Sequence, residues 1–521
     1  MADLGGMTPE NAVPESDADR GKPWYRLLNR YHVFVLVVAA LGWLFDCLDQ
    51  QLFILARPAA MKELVVAEDY PELSADDLNL KRRQMADYAT SIFIAGWACG
   101  GLLFGMLGDK IGRAKTMFIT ILMYSLCTGL SAFSTSVWDF SFYRFLTGLG
   151  VGGEFAVGVA LVAEVMPGRA RPYCLGLLQA LSAIGNVSAA LINLQLGLAA
   201  EQGLPTSPWR IMFMVGAVPA LLALVVRGWL KEPEKWQQAQ EQKKDDTTPQ
   251  HALGTYGELF SHPTWRKHAI LGLLLGCSGI IGLWSVGFFA PDLIRYVQTR
   301  GVTEEVYAEE LARAEAASES QTVDDVKTLM AALEDSKTEI ALSESAKKLK
   351  EELGKRIEGK LAGWSSFTSI AINIGAFLGM FGFGNLAQVI GRKPTFAIGF
   401  VAALVSTVSV FLFLQDFWQV VVLVPIMGFC QLSLFAGYAI YFPELFPTRL
   451  RSTGTSFCYN VGRFLAALGP VVKAQLEAFF HNPDDRIQSL RYAGVTMCSV
   501  FIIGLLVLPF LPETKDQPLP E

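Results

Sequence analysis

The chain has 521 residues, 52% of them hydrophobic and only 18% charged, with a formal net charge of −6. A soluble domain of ordinary composition carries about 25% charged residues, so that class is excluded, and no nucleic-acid partner is expected of a chain with a net acidic balance. The eight cysteines (Cys47, Cys99, Cys127, Cys174, Cys277, Cys430, Cys458 and Cys498) stand singly in apolar stretches, which excludes a disulfide framework and reads as small packing residues.

Residues 1–30 are polar and lack the basic region and cleavage site of a signal peptide, so they are expected to be a cytoplasmic tail. Apolar blocks then recur near 31–56, 86–107, 115–134, 138–164, 173–199, 210–230, 269–297, 361–387, 394–414, 418–443, 453–478 and 491–511. A bilayer core about 30 Å thick needs roughly 20 helical residues. The pattern predicts an all-α membrane protein with twelve transmembrane helices. An N-terminal six-helix bundle is expected at 31–230, a central linker at 231–268, a C-terminal bundle at 269–511 and a tail at 512–521. Lys110, Arg113 and Lys115, then Arg169 and Arg171, Arg392 and Lys393, and Arg449 and Arg451 fall in short loops, while the loops between them lack Lys and Arg. By the positive-inside rule these basic loops and both termini are expected in the cytoplasm of a multi-pass cell-membrane protein.

The first block contains "GWLFDCLDQQLFILA", with Asp46 and Asp49 about 60° apart on one helix face. An intramembrane carboxylate costs about 2.5–3.5 kcal/mol and marks an ion pathway or a buried pair. The fourth block supplies Arg144 as a partner, with Glu154 further along. A carboxylate alternating between a proton and an arginine couples proton entry to a helix shift; a purely structural Asp–Arg bridge is the competing reading. "GLGVGG" (Gly148 to Gly153) matches a dinucleotide-binding pattern but lies inside this span without a strand before it, so helix packing is expected. The sequon at Asn186 is buried in a span. No Walker loop, HExxH or nucleophile elbow occurs, so no enzyme, cofactor or metal site is expected.

Residues 298–360 are rich in Ala, Glu, Lys and Leu, which favour helix; from 301 to 360 they carry fifteen acidic and nine basic residues. Topology puts this insertion outside the cytoplasm, as a lid, a partner-docking arm or a passive spacer. The eleventh block, "YNVGRFLAALGP", places Arg463 within a span, one turn after Tyr459 and beside Asn460. A guanidinium there suits a carboxylate, with Tyr459 and Trp284 as a flat wall. The alternative is a buried pair with Glu477 or Asp292.

Loop signatures repeat at a nearly constant offset: "GMLGDKIGR" from Gly105 and "GNLAQVIGR" from Gly384, "EVMPGRAR" from Glu164 and "ELFPTRLR" from Glu444, and "EPEK" with "LPET", which aligns Glu234 with Glu513. Parallel repeats of this kind place a substrate site at the midplane between the halves. Gly105, Asp109, Gly112 and Arg113, with the weaker copy Gly384, Gly391 and Arg392 in which Gln388 replaces the acid, resemble the signature loop of the major facilitator superfamily. The resemblance covers nearly the whole chain and implies alternating access between two pseudo-symmetric halves. Glu164 with Arg113, and Glu444 with Arg392, are candidate latches of a cytoplasmic gate that also takes in Arg169 and Arg449; mere topology signals are the alternative.

In proton-driven sugar porters a helix 1 acid and a helix 4 arginine serve coupling, at positions matching Asp49 and Arg144. The Asp-x-x-Asp spacing is more similar to aromatic-acid and other metabolite–proton symporters, and the Gly-Arg stretch at Arg463 resembles those symporters and organic-anion transporters. Gln179 matches a sugar-porter contact. Three other such contacts fall at Ser278 with Gly279, at Trp284 and at Ala439, which disfavours a plain hexose. The expectation is a proton symporter, driven by a proton gradient without a cofactor, for a small organic anion. A sugar or sugar-acid transporter, or a non-transporting sensor of the same fold, are the alternatives. The partners expected are a small-molecule substrate, the lipid bilayer and possible company for the insertion, with a monomer as the working state.

Overall fold

The computed structural model describes residues 23–520 apart from 67–68, 73–74, 202–205, 246–253, 284–289, 335–342, 416, 467–468 and 481–485. The first half runs α1 (Arg30–Leu64), α2 (Ala75–Ile111), α3 (Arg113–Ser131), α4 (Val137–Val165), α5 (Arg171–Ala180), α6 (Ser182–Glu201), α7 (Pro208–Val215) and α8 (Ala220–Trp229). Two linker helices follow, α9 (Glu234–Asp245) and α10 (Tyr256–Ser261). The second half comprises α11 (Pro263–Ile281), α12 (Ala290–Ala316), α13 (Ser320–Glu334), α14 (Glu344–Ile390), α15 (Arg392–Phe413), α16 (Phe417–Glu444), α17 (Arg451–Ala466), α18 (Gly469–Phe479), α19 (Arg486–Met497) and α20 (Val500–Val507).

Local chemistry starts these helices where the sequence allows it. Asn29 caps α1, accepting from the His32 backbone N–H while the His32 ring accepts from Asn29 N–H. Ser136 and Asp139 form the same reciprocal box at α4. Among the described residues, ten stretches are long and apolar enough to cross a bilayer. The spans expected at 269–297 and 453–478 are each carried by two helices, α11 with α12 and α17 with α18, on either side of 284–289 and 467–468. Large apolar side chains such as Leu221, Leu224, Phe413, Val389 and Leu506 point outward, as a lipid-facing surface requires.

Gly148 and Gly152 pack α4 on α2, as helix packing predicts for the glycine run. A Cβ on either would strike the backbone oxygen of Phe93 or Trp97, and one on Gly96 or Gly100 would strike the oxygen of Phe145 or Leu149. The second half repeats the device: Gly375 and Gly379 of α14 press on Pro425 and Phe429 of α16, and Gly428 presses on Ile372. The loop offset also relates Gly96 to Gly375, Gly100 to Gly379 and Gly148 to Gly428, so the repeat reaches into the helix interfaces and beyond the loops. Asn186 is used for contact between the halves, donating to Asn373 of α14 at 3.0 Å.

The insertion has a core of its own. The end of α12, all of α13 and the start of α14 enclose a separate small core of Val302, Val306, Tyr307, Val326, Leu329 and Leu353. Arg356 and Lys360 bind Glu309, Glu310 and Glu305 along its outer seam. α12 and α14 each continue from this core toward the apolar spans, so the insertion is built on extended span helices.

Candidate functional site

At the basic-loop end the two expected latches form. Arg113 Nε and Nη2 donate to Glu164 at 3.1 and 2.8 Å, and Arg392 Nε and Nη2 donate to Glu444 at 3.0 and 2.8 Å. These are two-pronged guanidinium–carboxylate forks, short and directional. Gly112 and Gly391, just before each arginine, have φ of +112° and +101°, a conformation that side chains rarely adopt. Gly105 lies against Ser456 of α17, and Gly384 against Pro172 and Gly176 of α5, so both glycines admit a helix of the opposite half.

The loops also differ. Asp109, buried beside Arg113 at 3.0 Å, accepts from Ser452 N–H, Thr453 N–H and the Thr453 hydroxyl at 3.1, 2.8 and 2.6 Å. It therefore caps the first turn of α17 in the other half, where a negative charge is favoured. Gln388, its counterpart, accepts from Arg392 at 3.2 Å and donates to Asp516 at 3.3 Å, within its own half. Arg451, which the sequence does not single out for the gate, crosses between the halves to Glu164 at 2.8 Å. Arg449 pairs instead with Glu258 of linker helix α10 at 2.6 Å, and Arg169 is half-buried ahead of α5. The acid that matches Glu513 is Glu232, two residues before Glu234: it accepts from Ala114 and Lys115 N–H, both at 3.1 Å, as Glu513 accepts from Arg392 and Lys393 at 2.9 and 3.0 Å. Burial pushes the Glu513 carboxyl up, but the backbone N–H groups of Arg392, Lys393, Lys515 and Thr514 outweigh it and hold the group below the usual carboxylate range.

Deeper in the bundle, Asp49 and Arg144 are fully buried. Thr128 donates to Asp49 Oδ1 at 2.6 Å, and Arg144 Nη1 stands 3.7 Å from Oδ2. That contact is an ion pair without a hydrogen bond. The arginine's own donors go to Ser131 Oγ at 3.1 and 2.8 Å, and its guanidinium lies 4.7 Å from the Phe213 ring centre. Asp46 does not share this partner: neither of its oxygens has a hydrogen-bond partner, and its charged neighbour on α4 is Glu154. The rotation along α1 from Asp46 to Asp49 thus sends the two acids to different stations on α4.

Arg463 is buried on α17. It donates to Tyr459 O and Asn460 Oδ1 at 3.0 and 2.8 Å, and lies 4.1 Å from the Trp97 ring centre and 4.4 Å from that of Tyr459. Its Nε has no hydrogen-bond partner, and no acid among the described side chains forms an ion pair with it. The side chains of Asp292 and Glu477 and all of Trp284 lie outside the described residues. Tyr459 stacks on Phe155 at 4.0 Å, and Phe155 meets Trp43 at 4.6 Å. Gln179, buried with its Oε1 unpartnered, faces the Tyr459 phenol. Asn460 supports Arg463 and also reaches Gly152 O of α4 at 3.4 Å, which makes it an interface residue as much as a site residue. Trp97, on α2 of the opposite half, is the notable addition to the sequence reading.

Two repeated helical halves with charged and aromatic side chains buried in their spans are the frame of a membrane transporter, and the comparisons with known proteins agree. The chain belongs to the Major Facilitator Superfamily, whose family model matches residues 34–311 and 340–521 and passes over part of the insertion. It is 27% identical to a putative metabolite transport protein of Haemophilus influenzae over 85% of this chain and 90% of that one. It is 26% identical to a probable 4-methylmuconolactone transporter of Cupriavidus pinatubonensis over 91% and 89%. Among solved structures it is similar to the proton:xylose symporter XylE of E. coli, with a TM-score of 0.63, 16% identity and coverage of 94% and 98%, a likeness of fold.

Proposed function

We propose that this transporter carries a small organic anion, of the carboxylate or aromatic-acid class, together with a proton, by alternating access. The observation that carries the reading is Arg463: a buried guanidinium between two aromatic rings, with Nε unpartnered and Nη1 donating to neutral oxygens. A carboxylate is the ligand such a donor lacks, and Tyr459 and Trp97 are the flat apolar partners at hand for a planar substrate. The relative named for 4-methylmuconolactone, an organic-acid lactone, supports the same class.

Asp49 opposite Arg144 is the coupling pair in this reading. A 3.7 Å contact is loose enough for a proton to replace the guanidinium when α4 shifts. The basic-loop end, taken as cytoplasmic, is the gate in this reading, held by Asp109, Arg113, Glu164 and Arg451.

Uptake into proteoliposomes of benzoate, a short monocarboxylate and xylose, with and without an inward proton gradient, tests this. Gradient-dependent benzoate uptake that Arg463→Gln abolishes and Asp49→Asn uncouples is the expected result. Xylose accumulation with no anion uptake would replace the reading with a sugar porter.

A further inference from the structure

Beyond α20 the chain turns back over the basic-loop end as residues 512–520, and its final stretch, 516–520, is stiff by composition. Pro518 and Pro520 fix their own φ at about −65° and keep Gln517 and Leu519 extended. The segment is fastened at successive stations. The Tyr441 phenol donates to Pro512 O, the Thr514 hydroxyl donates to Glu444 at 2.6 Å, and Gln388 donates to Asp516 at 3.3 Å. Asp516 turns the chain with a φ of +58°, and Gln517 N–H donates to Thr514 O at 3.2 Å. Past that turn Leu519 is 6% exposed, a buried anchor beside the exposed Pro518. Pro520 O then accepts from Arg451 Nη2 at 3.1 Å.

Arg451 is the arginine that crosses to Glu164, so the segment ends on the contact between the halves. A guanidinium is a planar fork whose donors point in fixed directions. Holding Nη2 on Pro520 O and Nε on Pro443 O leaves Nη1 aimed at Glu164 and the Thr448 hydroxyl. The repeat supplies a comparison within the molecule. The offset that pairs Glu164 with Glu444 also pairs Arg171 with Arg451. Arg171 is buried too, yet its Nε has no partner, and among the described residues no acid forms an ion pair with it. Gly168 stands there in place of Thr448, and after Glu232 the chain goes on as α9, whose Trp236 donates to Asp109 O instead. The arginine that has the C-terminal segment on it crosses between the halves; its repeat mate does not.

We infer that residues 516–520 are a strap on the gate: seated, they hold Arg451 on Glu164 and keep the basic-loop end closed, and released, they let it open. The inference rests on the reading of this end as a gate and not on the identity of the substrate. Leu519 is the anchor, and the strap acts only through Arg451.

Labelling of Ser456→Cys by a soluble maleimide, in the purified full-length protein, reads the opening. Ser456 is buried under Gly105, where α17 meets α2. Leu519→Asp puts a charge at the anchor and should raise the labelling rate about tenfold, the factor carried by a hydrogen bond to a charged group. Leu519→Met, which keeps the volume, should leave the rate unchanged. Should Leu519→Asp fail to fold, Pro518→Gly with Pro520→Gly loosens the strap without adding a charge and carries the same test. A strap that acts through Arg451 has nothing left to hold once Glu164 is gone. Leu519→Asp in a Glu164→Gln background should therefore label no faster than Glu164→Gln alone. A merely structural role for the segment would raise labelling in both backgrounds, and that result overturns the inference. An unchanged rate in Leu519→Asp beside a responsive Glu164→Gln overturns the strap alone. No response in Glu164→Gln itself removes the gate, and both readings fall together.

Discussion

The two signature loops share a frame but differ in reach. Each has a positive-φ glycine, a buried arginine in a fork with a glutamate, and a distant acid capping the next helix. Yet Asp109 and Glu164 send their remaining lone pairs into the opposite half, to the first turn of α17 and to Arg451. Gln388 and Glu444 keep theirs at home, on Arg392 and on Thr514 of the C-terminal segment. Repetition therefore built two copies of one internal brace, and Asp109 together with the Glu164–Arg451 contact makes one of them a clasp between the halves.

The strongest break of that contrast is Glu164→Gln set beside Glu444→Gln. Removing one partner of a buried pair costs about 3–5 kcal/mol, so both variants should melt well below the wild type. Glu164→Gln takes the fork from Arg113 and the carboxylate from Arg451, the contact that crosses between the halves, and should therefore open the basic-loop end more than Glu444→Gln, whose hydrogen-bonded arginine, Arg392, lies in its own half. A cysteine placed at Ser456, shielded under Gly105, should become reactive to a soluble maleimide in Glu164→Gln and stay protected in Glu444→Gln. Equal labelling in both would show that the halves are not held together at this point.

Asp109→Asn against Gln388→Ala comes next. The aspartate accepts three hydrogen bonds from α17 and neighbours Arg113, so its loss should cost about 1.5–3 kcal/mol, the scale of hydrogen bonds to charged groups. Gln388→Ala touches only its own half and should stay within about 0.5 kcal/mol, as for a surface change. Thermal melting and the same labelling read both; a Gln388 variant as damaging as the Asp109 variant would dissolve the asymmetry.

Much of this was legible in the residues. The spans, the repeat offset, the packing role of the glycine run and the Arg113–Glu164 and Arg392–Glu444 pairs follow from hydropathy, spacing and charge, because each lies within one half or one interface. What the sequence hides is rotation and reach. Asp46 and Asp49 share a face of α1, yet the small rotation between them is enough to separate a carboxyl partner from a guanidinium partner, and only packing decides which is which. Arg451 is one of several loop arginines, and its crossing to Glu164 depends on how the halves meet. Trp97 stacks on Arg463 from the other half, a pairing without any spacing rule. Glu232 displaces Glu234 because the linker joins its helix two residues differently from the C-terminal segment.

A smaller effect belongs to the paired caps. Glu513 is bound by four backbone N–H groups, and its carboxyl is depressed below the ordinary glutamate value of 4.5. A depressed acid contributes stability that is present above its unfolded pKa and disappears as pH falls through its folded one. The wild type should therefore lose part of its melting temperature below about pH 4.5, and Glu513→Gln should lose less of it over that range while melting slightly lower at neutral pH. Parallel acid profiles of the two proteins would remove Glu513 from the account.

The halves differ last in the insertion, which only the second one carries. Its core of Val302, Val306, Tyr307, Val326, Leu329 and Leu353 is separate from the cores of the spans, and its ion pairs are largely solvent-exposed, worth about 0–1 kcal/mol each. Replacing residues 301–360 by a Gly/Ser linker removes that core whole and orphans no span residue's backbone, since helices satisfy their own hydrogen bonds. Melting of the spans and proton-driven uptake should stay close to wild type, the smallest effect of the series. The continuity of α12 and α14 out of the spans supplies the contrary expectation, a rigid tie between the outer ends of two helices. A well-folded replacement that binds benzoate but no longer moves it would assign the insertion to the transport cycle, and the asymmetry between the halves would then operate at both ends of the molecule.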